Sequence, residues 1–171
     1  MLFPILLLLV APADVAGPWR AALDLAGGPL EFGITLEGSG RTLSGRLCNA
    51  TTCEAFSAVR WEGDSLVLEL GDYAASIAVV ARGDSLVGRY HNVGRRGPRT
   101  IPLRATRGAW TGVPGAPALL GRWDAWFISG FEQSPRVLEF RNGPLGHEGT
   151  VISNSGDYGL FAGWMRGDSL V

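Results

Sequence analysis

The chain has 171 residues, 46% of them hydrophobic and 18% charged, with a formal net charge of −1. That balance describes a foldable globular protein and excludes the positive field through which nucleic acids are bound. Gly at 25 residues and Pro at 10 punctuate the chain as strands and turns do, so an all-β fold is predicted.

The first element is an apolar run, "LFPILLLLVA" from Leu2 to Ala11, followed by "APAD". Ala11 and Ala13 have the size and spacing that signal peptidase accepts. Residues 1–16 are therefore predicted to be a signal peptide, and the protein to be exported, periplasmic or secreted. A run of about ten apolar residues falls short of the ~30 Å hydrocarbon core of a bilayer, so no stable membrane span is predicted. No Lys or Arg precedes the run, which departs from the usual leader, and no lipobox cysteine follows it.

From Trp19 onward, apolar residues recur at every second position, the period of a half-buried strand. The runs are Trp19 to Leu25, Leu30 to Leu36, Leu43 to Leu47, Ala55 to Trp61, Leu66 to Leu70, Tyr73 to Ala81, Leu86 to Tyr90 and Ile101 to Ala105, which predict eight short strands. Short turn-forming separators such as "AGGP", "EGSG", "EGD" and "RGD" join neighbours antiparallel. The result is a β-meander over residues 17–108. Such a meander removes its edges by curling into a small barrel or by folding into two packed sheets, and the uniformly short connections favour the barrel.

Cys48 and Cys53 bracket the polar turn "NATT". Facing strands would hold them as a cross-strand pair, and an oxidising compartment would make that pair a structural disulfide. The alternative, a redox-active dithiol, lacks the CxxC spacing and a neighbouring His or Lys. Asn49 heads an "NAT" sequon, which matters only in a host that glycosylates such sites.

A Gly/Pro/Ala-rich linker follows at residues 109–120, and the strand pattern restarts at "GRWDAWF". The words Glu-Gly, Gly-Asp-Tyr and Arg-Gly-Asp-Ser-Leu-Val occur in the same order from Trp61 to Val87 and from His147 to Val171, as in an internal duplication. Residues 121–171 are thus predicted to form an incomplete second β unit, and the chain to be a fragment.

The spelling GDSL, at Ser65, Ser85 and Ser169, is that of a class of serine esterases. A serine nucleophile needs an oriented base, and the only histidines are His91 and His147. Each Gly-Asp also sits between two strand patterns, where Gly supplies a positive φ and Asp bonds its own backbone, so the copies are read as hairpin turns. His91 has no His or Cys at ligand spacing and is read as a solvated strand-end residue. The basic run from Gly94 to Arg99 is read as a solvated connection that would otherwise dock an anion. Trp19, Trp61, Trp123, Trp126 and Trp164 lie near strand ends, where they plug a barrel or line a ligand cavity. No catalytic, cofactor or metal residue is assigned.

The blocks "RNGPLGHEGTVISNSGDYG", "YHNVGRRGPRTIPLRATRG", "GRWDAWF" and "LCNATTC" resemble the β-rich region that precedes the thioredoxin domain in exported TlpA/ResA-like proteins. The resemblance implies a non-catalytic β domain of a thiol-disulfide oxidoreductase, positioning the redox domain or its client, with a downstream thioredoxin domain as partner. Because this chain has no CxxC, no catalytic residue carries over. A stand-alone, secreted barrel that binds a small ligand is the alternative.

Overall fold

The computed structural model describes residues 14–26, 28–49, 51–94, 97–111, 119–144, 146–163, 165–166 and 169–170. The fold is all-β and antiparallel. Nine strands make the first sheet: β1 (Gly17–Leu25), β2 (Gly28–Glu37), β3 (Ser44–Asn49), β4 (Thr52–Ala55), β5 (Ala58–Glu62), β6 (Ser65–Leu70), β7 (Ala75–Arg82), β8 (Ser85–Gly94) and β9 (Gly97–Arg107). Their spatial order is β4-β3-β2-β1-β9-β8-β7-β6-β5, so β1 closes on β9 and the meander curls into a half-barrel. No helix among the described residues is long and apolar enough to cross a membrane.

The alternating apolar residues fill the concave side. Trp19, Ile34, Leu66, Leu68, Ile77 and Leu86 are essentially inaccessible to solvent and pack with Leu36, Val79 and Leu103 in one cluster. Burial of each large side chain contributes about 1.5–3 kcal/mol. Arg107 locks the start of the chain onto this core. Its guanidinium lies over the Trp19 ring and donates to the carbonyls of Ala16 and Asp14, while its Nε pairs with Asp84.

The Gly-Asp pairs Gly63-Asp64 and Gly83-Asp84 are hairpin turns, closed by the pairs Glu62–Ser65 and Arg82–Ser85, with both glycines at φ +59. Such tight antiparallel links need a positive φ, which glycine adopts without strain. One predicted element is corrected. Ala55 to Trp61 was expected as a single strand, but it divides at Phe56-Ser57 into β4 and β5, which raises the count of the first unit from eight strands to nine. The division arises because the Phe56 N–H donates to Gly45 O on β3 (2.9 Å) and the Ser57 N–H to Glu69 O on β6 (2.8 Å). The chain thus steps from one edge of the sheet to the other, stitching the two edges at the seam. The predicted start at Tyr73 also moves to Ala75, because Gly71–Tyr73 form a 3-10 turn.

A second, four-stranded sheet runs in the order β10 (Gly121–Ser129), β11 (Glu132–Gly143), β12 (Gly146–Ser153) and β13 (Gly156–Gly163), followed by a short ladder of β14 (Met165–Arg166) and β15 (Ser169–Leu170). Its register repeats that of the first sheet, displaced by 104 positions. Gly17 opposite Leu36 becomes Gly121 opposite Phe140, and all nine pairs between β1 and β2 recur between β10 and β11. The five pairs between β2 and β3 recur between β11 and β12. The pairs Asn49–Thr52 and Cys48–Cys53 recur as Ser153–Gly156 and Ile152–Asp157, after which an irregularity between Thr150 and Ile152 shifts β13 by one residue. The pairs Trp61–Leu66 and Glu62–Ser65 recur as Met165–Leu170 and Arg166–Ser169.

Side chains follow the same rule. The Trp19 indole N–H donates to Val15 O at 2.8 Å, and that of Trp123 to Leu119 O at 3.1 Å. Gly45 lies against Leu36 and Gly149 against Phe140, each so close that a Cβ would collide with the facing strand. The second sheet is therefore a structural copy of the first strands of the barrel. The matching words seen in the sequence mark other places. Glu62-Gly63 meet the β5–β6 turn, whereas Glu148-Gly149 lie inside β12. The last "RGDSLV" answers in register to Glu62–Val67, not to Arg82–Val87.

Candidate functional site

An apolar cleft lies at one mouth of the half-barrel and has a volume of about 330 Å³. Strand ends build it. Leu23 and Leu30 face each other across the β1–β2 hairpin, and Phe32, Leu47, Leu70 and Tyr90 continue the apolar floor. Glu31, Asn49, Thr52, Glu54 and Tyr73 give a polar rim, and Leu160 and Phe161 of β13 lie against it. The Ala162 N–H donates to the Asn49 side-chain oxygen at 3.2 Å, which seats the second sheet beside this rim. Burial pushes the Tyr90 hydroxyl above its ordinary pKa, with Arg99 drawing it partly back, so this phenol stays protonated and can donate.

Cys48 and Cys53 stand directly opposite each other on β3 and β4, at disulfide distance, with their Cα atoms 4.0 Å apart. The link clamps the hairpin that brings Asn49, Thr52 and Glu54 to the rim. Its position next to the cleft ties the predicted cysteine pair to this concave apolar surface of the barrel.

The other residues singled out by sequence are dispersed. Ser65 and Ser85 open β6 and β8 immediately after their turns. His91 lies six residues beyond Ser85 on the same strand, about 20 Å along it at strand rise. Its Nδ1 is 3.1 Å from the Thr100 hydroxyl. Ser169 pairs with Arg166 through the backbone, and the Gly-Asp before it lies outside the described residues, as do Trp164 and residues 1–13. Of the basic run, Arg95 and Arg96 are likewise outside. Trp19 is a core residue and Trp61 packs beside the core, whereas Trp123 and Trp126 are exposed. No group of three or more His, Cys, Asp or Glu side chains placed to hold a metal occurs among the described residues.

Two features escaped sequence reading. His147 is buried at the position where the barrel has Leu43, and its neighbour Glu148 is buried with one oxygen paired to Arg141 at 3.2 Å. The mouth cleft also went unseen, because Leu30, Phe32, Leu70 and Tyr90 simply extend the core alternation. Its chemistry is that of a seat for an apolar group with hydrogen-bonding partners at the rim. The chain matches no protein-family model, no curated protein and no solved structure.

Proposed function

We propose that this chain is an exported, non-catalytic β module that positions a client polypeptide for thiol-disulfide chemistry carried out by a thioredoxin-fold domain, with the barrel mouth as its seat. The observation that carries the seat is the apolar cleft of Leu23, Leu30, Phe32 and Leu70 beside the Cys48–Cys53 hairpin. A non-polar floor with a few convergent polar groups is the usual make-up of a binding site. The redox context is supported by the resemblance of the "LCNATTC" and "GRWDAWF" blocks to the region preceding the thioredoxin domain, and export by the apolar leader. Heteronuclear NMR of the chain titrated with a reduced, carboxymethylated unfolded polypeptide tests the reading. Shifts are expected at Leu30, Tyr73 and Tyr90, and they should vanish with Leu30→Asp, a partly exposed position of the apolar floor that lies outside the buried core. Binding indifferent to Leu30→Asp would overturn it.

The cleft volume, at the lower end of the range of small-molecule sites, favours a second reading in which the barrel holds a small apolar ligand. Fluorescence of an anilinonaphthalene sulfonate distinguishes the two. A small-ligand barrel takes the dye with a defined stoichiometry and releases it to competing small molecules, whereas a client seat releases it to unfolded polypeptide.

A further inference from the structure

We infer that the open edge of the second sheet, β10, is a docking site for a β-hairpin of the β8–β9 kind. The register identity between the two units makes the first a template for the side of β10 that has no partner strand among the described residues. In the first, β1 is flanked by β2 on one side and β9 on the other, with Trp19 opposite Arg107, Ala21 opposite Ala105 and Leu23 opposite Leu103. Leu103, Ala105 and Leu86 of β8 are buried with Trp19 and Leu23 in the same core.

In the second unit β10 pairs with β11 alone among the described residues. The counterparts of fully buried Trp19 and of Leu23 are Trp123 and Phe127, which are 45% and 46% exposed. Trp126 and Ile128, on the opposite face of the same strand, are 63% and 69% exposed. An edge strand left to water is normally blunted by charged side chains, Lys above all, or by Pro, a bulge or brevity. β10 spells "GRWDAWFIS" over nine residues, with no Lys or Pro and an unbroken register against β11. Beyond the charged Arg122 and Asp124, its side chains are those of an inner strand.

The template also specifies the occupant. It is an antiparallel hairpin that sets small or branched apolar residues, as Ala105 and Leu103 do, opposite Ala125 and Phe127. On the other face the barrel pairs Asp24 with Arg104 across β1 and β9. The second unit has Ile128 in place of Asp24 and Trp126 in place of Ala22, the residue directly opposite Arg104. An arginine at the Arg104 position of the incoming strand therefore meets an indole face, a favourable cation–π contact, rather than a carboxylate.

The test uses the whole chain and a synthetic peptide with the sequence Ser85 to Arg107 of this protein, with a scrambled peptide as control. Hydrogen exchange at the amides of residues 122–128 is expected to slow by about tenfold or more at saturating peptide. The double variant Trp126→Lys, Ile128→Lys changes only exposed positions and should weaken peptide binding about tenfold with an unaltered far-UV circular dichroism spectrum. Equal protection by the scrambled peptide, or none by either, overturns the inference. So does peptide-induced change confined to the first sheet. A concentration-dependent dimer that protects β10 without peptide also overturns it, since the edge would then be taken by a second copy of β10.

Discussion

Arg107 places its guanidinium over the Trp19 ring, 4.4 Å from the ring centroid. The same group donates to Ala16 O at 2.7 Å and Asp14 O at 2.8 Å, so one side chain covers the largest core residue and fastens the segment before β1. Arg107→Ala should lower unfolding free energy by about 1–2 kcal/mol, the sum expected for a partly desolvated cation–π contact and charge-assisted hydrogen bonds. Arg107→Lys should recover only part of this, because an ammonium cannot reproduce the planar fork. Urea denaturation followed by tryptophan fluorescence measures both.

The segment before β1 makes a prediction about leader processing. Val15 is buried and its carbonyl accepts the Trp19 indole N–H, although Val15 lies within the expected leader, residues 1–16. Cleavage after Ala13 leaves these contacts whole. A chain beginning at Gly17 loses the Val15 side chain and strands a buried indole donor, at a cost of about 2–4 kcal/mol. Thermal unfolding of chains that begin at Asp14 and at Gly17 should show the second to be the less stable by that margin.

The strand alternation and the hairpin turns were evident in the sequence because both are local. Trp19, Ala21 and Leu23 alternate by the geometry of a strand, and Gly63-Asp64 and Gly83-Asp84 turn between two strand patterns. The break at Phe56-Ser57 was not evident, because its cause is hydrogen bonds to Gly45 and Glu69 on strands that only the folded meander brings near. The repeat was seen but placed in the wrong register. A meander reuses one turn chemistry at many corners, so "RGDSLV" identifies a corner without saying which, and only the strand pairs assign the last copy to Glu62–Val67. The mouth cleft was invisible for a related reason: Leu30 and Tyr90 are distant in sequence and converge through topology.

Equivalent hairpins in the two units are held by different chemistry, and so should answer to different agents. Cys48–Cys53 closes β3–β4, and the matching pair in β12–β13 is Ile152–Asp157. Asp157 accepts hydrogen bonds from the Thr150 hydroxyl and from the Gly159 N–H, which hold its carboxyl below the usual carboxylate pKa. A depressed folded pKa stabilises above the unfolded value and fades as pH falls through the folded one. Acid should therefore loosen β12–β13 progressively below about pH 4 and leave β3–β4 closed. Reductant should do the reverse, with the short loop of the disulfide limiting its cost to about 2 kcal/mol. Amide exchange at Asn49, Thr52, Ser153 and Gly156 reports on both hairpins in one experiment, and acid opening of β3–β4 would contradict the assignment.

The two equivalent tryptophans offer the sharpest comparison of a covered and an uncovered strand. Trp19 and Trp123 share a strand position, a facing residue type in Ile34 and Leu138, and an indole hydrogen bond to the carbonyl four residues before. Local sequence and local geometry would give them equal weight. They differ in what covers them, since β6 to β9 bury Trp19 completely while Trp123 remains almost half in water. Trp19→Ala leaves a large cavity in a close-packed core and should cost about 3–5 kcal/mol. Trp123→Ala removes contacts on one side only and should cost about 1 kcal/mol or less, the range of substitutions outside a closed core. Denaturant titrations of the two variants, read by far-UV circular dichroism so that the lost fluorophore does not matter, measure the difference. A Trp123→Ala cost as large as that of Trp19→Ala would mean that the second sheet has a buried core in solution and that its β10 edge is already occupied.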